Sequence, residues 1–180
     1  PYKNTNEVNS MQELFGVDEG QSFPKFYAEP TTVNIEGCDM TMMPWINNTN
    51  YNHAMTHIKN TKAQVLFGHL DIAGFYMNKD MKSEGGLQPK VFEGFDVVGS
   101  GHFHTKNSMG NIHYFGTPYE LTWSFHIFDT DIRTFEFIVN PHRMFHKIFY
   151  DDKKKNLEEL TDYDFDSLKG AYVKVVVINK

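Results

Sequence analysis

Two short apolar runs in this chain each lead into the dipeptide Gly-His, and this repeated grammar constrains the fold more than any other feature. Residues 63–68 (AQVLFG) lead into His69, and residues 95–100 (FDVVGS) lead into Gly101-His102-Phe103-His104. Runs so short and so apolar suit strands buried on both faces of a parallel sheet. Parallel strands deliver their C-terminal residues to one edge, where open α/β sheets bind ligands. Gly68 and Gly101 allow a sharp turn or a close approach at that edge. Alternate residues of an extended segment face the same way, so the two imidazoles of His102-x-His104 lie on one side. They can serve a single metal, or each can serve one of two adjacent metals. His69, His102 and His104 are therefore the candidate metal ligands.

The rest of the chain supplies the frame. Val8, Met11, Leu14 and Phe15 fall at helical spacing, and Gly16 follows as a stop. Residues 20–30 read as loop and short strand. Residues 31–36 and 40–45 read as a hairpin that turns at Gly37-Cys38-Asp39. A short helix is expected over 51–60. Residues 71–89, with Gly74, Gly85, Gly86 and Pro89, read as a long loop of the active-site kind. A further strand is expected over 111–116, and residues 125–129 should pair with 134–139. After Asn140-Pro141 the character changes to strand (144–150), short helix (157–160) and strand (171–178). This places a boundary near Pro141, between a unit of residues 1–140 and the start of a small second unit, 141–180.

Other chemistries are weakly served. The net charge is −6, which argues against a basic whole-surface nucleic-acid binder but not against a local groove or a metal site that handles phosphates. A single cysteine, Cys38, excludes an internal disulfide framework and fits a reducing compartment, so a cytoplasmic location is expected. Cys38 reads as structural. No apolar run approaches the ~18 residues of a membrane span. His53 and His57 have the i, i+4 spacing of a zincin pair, but Ala54 stands where the glutamate base belongs. They read as a surface pair. His113 sits within a strand near the site and is a candidate for its surroundings, as is Asp71. His126, His142 and His146 have no partner pattern. There is no Gly-x-Ser-x-Gly elbow, Walker loop or dinucleotide fingerprint.

The strings VLFGHLDIAGF, DVVGSGHFHTK and NIHYFGTPYELTWS together resemble the second half of a calcineurin-like metallophosphoesterase. More narrowly, the chain from about Pro1 to Tyr150 resembles SbcD-type recombination nucleases, including the nuclease subunits of phage recombination endonucleases. The resemblance implies an α/β fold, a metallophosphoesterase β-sandwich flanked by helices, followed by the start of an α+β DNA-capping domain. It implies two Mn²⁺ (or Mg²⁺), with His69 and His102 on one metal and His104 on the other. A metal-activated water would attack a phosphodiester at a DNA end, with both metals neutralising the developing charge. It implies DNA and an SbcC-type ATPase as partners in DNA repair and recombination. Lys79, Lys82, Lys90 and Lys106 flank the histidines and could meet phosphates. Val8, Met11, Leu14 and Phe15 correspond to a helix through which such nucleases dimerise; packing of that helix on its own sheet is equally open.

The family's N-terminal motifs, Asp-x-His, Gly-Asp-x-x-Asp and Gly-Asn-His-Asp/Glu, do not occur in this chain. Three imidazoles without a carboxylate suit hard Mn²⁺ or Mg²⁺ poorly. The chain is therefore expected to begin in mid-domain and to be weakly active or inactive alone. Two other readings stand beside this one: a phosphoesterase acting on nucleotides or phosphomonoesters, and a non-catalytic dimerisation or scaffold fragment.

Overall fold

The structure is a computed structural model and describes residues 25–78, 80–118, 124–151, 153–154 and 161–179. The expected helices over 7–15 and 157–160 lie outside them, as does Lys79. The elements run β1 (Thr31–Ile35), β2 (Cys38–Met43), α1 (Tyr51–Asn60), β3 (Val65–Gly68), β4 (Val97–Ser100), β5 (Asn107–Met109), β6 (Ile112–Tyr114), β7 (Ser124–Asp129), β8 (Thr134–Val139), β9 (Phe145–Asp151) and β10 (Tyr172–Ile178). Among the described residues the protein is strand-rich, with a mixed sheet and few helices.

Six strands form one sheet in the order β1-β2-β3-β4-β6-β5. The four central strands, β2, β3, β4 and β6, are mutually parallel, and β1 and β5 flank them antiparallel. Strand β5 was not expected; the polar triplet Asn107-Ser108-Met109 gives no strand signal. It forms because Gly110, at φ +59°, and Asn111 turn the chain back onto β6. Residues 25–30 contain no strand.

The first hairpin turns one residue earlier than the sequence suggests. Ile35 pairs directly with Cys38, so the loop is Glu36-Gly37, and both residues have positive φ, +50° and +82°. A two-residue loop of that kind matches the twist of the flanking strands. Asn34 reinforces it, accepting from Gly37 N at 3.2 Å and donating to Asp39 Oδ1 at 2.7 Å. Cys38 is consequently the first residue of β2 and is buried, which fits its structural reading.

Strand alternation sorts the side chains cleanly. Leu66, Val98 and Ile112 are in register with one another and join Tyr114, Phe75, Phe92 and Ala54 of α1 in the main core. The intervening row, Met42, Phe67, Gly99 and His113, points to the opposite face. There the antiparallel hairpin β7–β8 packs, with Phe67 ring centroids 5.4 Å from Phe128 and 6.1 Å from Phe135. Gly99 is needed at the centre of this face. A Cβ there would meet Phe115 at 2.4 Å and Phe67 at 2.6 Å.

The excursion over 71–89 is more ordered than a solvent loop. Its two arms bond across it, Ala73 N to Leu87 O, Gly74 N to Ser83 O and Leu87 N to Asp71 O, at 2.7–2.9 Å. Ile72 and Phe75 anchor it in the main core. These two anchors stand among Gly74, Gly85, Gly86 and polar residues, which is why the sequence shows only a loop. Strands β9 and β10 form a separate parallel pair, with Phe145 opposite Tyr172. No helix among the described residues is long and apolar enough to cross a membrane.

Candidate metal centre

Strands β3 and β4 lie side by side and parallel, with Gly68 opposite Ser100. His69 and Gly101-His102 therefore leave the sheet at the same edge. Gly101 N donates to Gly68 O at 3.0 Å, tying the two exits together. A Cβ on Gly101 would lie 2.8 Å from His69 Nδ1. Only glycine lets the imidazole occupy that place.

The rings of His69 and His102 meet edge to face, with centroids 5.3 Å apart and planes at 76°. His102 also holds its backbone at φ +78°. Among the described residues three other non-glycines have positive φ: Glu36 and Arg133 in hairpin turns, and Asn179 after β10. His102 alone of the four sits beside a candidate ligand. Such a conformation costs on the order of 1–3 kcal/mol and persists where its surroundings over-determine it.

Polar groups are buried beneath the site. Ser100 Oγ accepts from Leu70 N at 3.0 Å. Tyr114 Oη donates to Leu70 O at 2.7 Å and accepts from Ile72 N at 3.1 Å. Three backbone groups of the turn after His69 are thus satisfied by side chains of β4 and β6. Burial pushes the Tyr114 phenol well above its usual range, so it stays a donor at any working pH.

Partial burial lowers the pKa of His69, and the neighbouring charges of His102 and His104 lower it further. A neutral imidazole is the ligand form. With metal–nitrogen bonds of about 2.1 Å, two imidazoles on one ion at a near-tetrahedral angle place their ring centres roughly 5 Å apart. The His69–His102 spacing fits two ligands of one divalent ion. His104 is exposed at the same edge. Among the described residues no three His, Cys, Asp or Glu side chains converge closely enough to hold an ion. The pair fits a metal as part of a ligand set and does not complete one.

One neighbour escaped the sequence reading. Trp45, two residues beyond the end of β2, has its indole 5.9 Å from the His69 ring and 5.0 Å from the His102 ring. The signal available was its place just after a strand that turns out parallel to β3.

The other candidates are placed as follows. Asp71 accepts from Ser83 Oγ at 3.3 Å and bonds Leu87 through its carbonyl, so it braces the 71–89 excursion. His113 lies on the opposite sheet face, bonded to Ser108 at 3.0 Å and against Phe135. Lys82 covers the Tyr76 ring, Lys106 covers the Phe137 ring, and Lys90 is exposed in a 3₁₀ turn. Lys79, Val8, Met11, Leu14 and Phe15 lie outside the described residues. His53 pairs with Glu29 at 2.8 Å, and His57 faces the hydroxyls of Thr32 and Thr41.

No protein-family model matches the chain. A curated protein does: over 185 aligned residues, 98% of this chain is 37% identical to Exonuclease subunit 1 of Enterobacteria phage T4. The chain is a relative of a phage exonuclease subunit. The resemblance read from the Gly-His strings therefore holds, and at this coverage it takes in the tail beyond Tyr150 as well. The chain spans about half the length of that exonuclease subunit, 51%.

Proposed function

We propose that this chain is the C-terminal portion of the catalytic domain of a metal-dependent DNA nuclease, with residues from about 141 onward beginning a DNA-capping unit. The observation that carries the reading is the convergence of His69 and His102 at one edge of parallel strands, in a chain similar over nearly its whole length to an exonuclease subunit. In this reading the fold is of the metallophosphoesterase type, and His69 and His102 bind one Mn²⁺ while His104 contributes to a second. Further ligands, carboxylates among them, complete the set. Bound metal supplies an activated water and neutralises the phosphodiester's developing charge. The residues of this chain hold the imidazoles: Gly101 sets His69, and Ser100 and Tyr114 fix the turn between β3 and the core. DNA, an SbcC-type ATPase and a second copy of the protein are the proposed partners, and the bacterial or phage-infected cytoplasm the proposed location.

The test is calorimetric titration of Mn²⁺ into the whole parent polypeptide, together with digestion of an end-labelled linear duplex. Binding and end resection that are both lost in His69→Ala and His102→Ala are expected. No Mn²⁺ binding, or phosphomonoesters cleaved in preference to DNA, would overturn the proposal.

A further inference from the structure

We infer that Trp45 is a positioning residue for the His69–His102 pair, holding both imidazoles in the orientation in which they converge. This rests on the metal-site reading above and assigns a third strand terminus to it. Strands β2, β3 and β4 are adjacent and parallel, with Met43 opposite Gly68 and Gly68 opposite Ser100. Trp45, His69 and His102 therefore emerge from three neighbouring strand ends at one edge.

The main chain at Trp45 is held in place. The buried side chain of Asn50 donates to Trp45 O at 2.9 Å, and Asn50 Oδ1 in turn accepts from Asn47 N at 2.8 Å. Pro44 sets the approach with its restricted φ. Trp45 does not belong to either buried core cluster. The indole meets both histidine rings, at interplanar angles of 53° and 51°. Each imidazole is thus confined on more than one side, His69 by Gly101, Trp45 and His102, and His102 by Trp45, His69 and Phe103. A ligand that keeps one rotamer before the ion arrives loses less entropy on binding. An indole face beside a ring that carries metal charge is also electrostatically favourable.

Two measurements on Trp45→Ala and Trp45→Phe test this. The first is NMR of the imidazole rings in metal-free protein. In wild type, His69 and His102 should give ring-current-shifted, single resonances. Trp45→Ala should average and shift these two and leave His113 and His126 unchanged, and Trp45→Phe should preserve the wild-type pattern. The second is Mn²⁺ affinity of the whole parent polypeptide by electron paramagnetic resonance of the free ion. Trp45→Ala should weaken it about 10–100-fold, the range for residues that orient a ligand without touching the metal, and Trp45→Phe should restore most of it. Unchanged His69 and His102 resonances, or wild-type Mn²⁺ affinity in Trp45→Ala, would overturn the inference while leaving the nuclease reading intact. Wild type that binds no Mn²⁺ yet shows Trp45-dependent imidazole order would sink the nuclease reading and leave the positioning role standing.

Discussion

The two faces of the six-stranded sheet use alternate residues of the same strands and differ in kind. One face is closed: Leu66 and Val98 are 0% exposed, Phe75, Phe92 and Tyr114 pack with them, and α1 and the 71–89 excursion cover them. The other is closed at its β2–β3 end by Cys38, Met40 and Val65 and is aromatic and only partly buried where β7–β8 packs. Phe67, Phe115, Phe128 and Phe135 pack ring against ring there, with His113 and His126 among them. The candidate metal centre sits at the strand ends, and its supporting hydroxyls, Ser100 and Tyr114, belong to the closed face. The main core lies beneath the imidazoles, and the aromatic hairpin packs on the other side of the sheet. The largest consequence is for stability. Leu66→Ala should cost about 2–5 kcal/mol, the usual range for a fully buried leucine. Phe135→Ala, on the aromatic face, should cost less despite the larger side chain removed. Urea unfolding followed by circular dichroism measures both, and equal losses would erase the distinction between the faces.

A smaller effect probes the edge between them. Because His102 holds φ +78°, glycine relieves strain there that alanine retains. His102→Gly should be more stable than His102→Ala by about 1 kcal/mol, even though glycine gains more freedom in the unfolded chain. Both variants lose the imidazole and should bind Mn²⁺ equally poorly. Thermal unfolding gives the comparison. An alanine variant at least as stable as the glycine variant would show that the backbone at His102 is not strained.

The same contrast explains what could be read in advance. The parallel strands and their shared edge were legible because VLFG-His and VVGS-Gly-His carry both the burial signal and the turn signal locally. Residues 125–129 and 134–139 pair as expected, with Phe128 opposite Phe135 and His126 opposite Phe137 on the face turned to the sheet. The hairpin turn was misplaced because Glu36-Gly37 is not a strong turn dipeptide until Asn34 bonds across it. Trp45 and the bracing role of Asp71 depend on contacts between segments far apart in the chain. No local pattern encodes that β2 lies beside β3, so Trp45 read only as the end of a strand.

The smallest expected effect is the pH dependence of the aromatic face. Burial lowers the pKa of His113 below its ordinary 6.5, and burial followed by the charges of Lys106 and His113 lowers that of His126. Both rings line one cavity of about 280 Å³ with Lys106, Arg133, Phe115 and Phe135. The neutral forms are favoured in the folded state, so the unfolded chain binds protons first as pH falls through 6.5. Their contribution to stability is present above that value and lost between it and their lower folded values. His57 and His69 shift the same way and add to the loss. Urea midpoints measured in chelator between pH 7.5 and pH 5 should therefore fall, and His113→Phe/His126→Phe should flatten the slope without abolishing it. A double variant with the wild-type slope would place the acid sensitivity at α1 and the strand edge instead of the aromatic face.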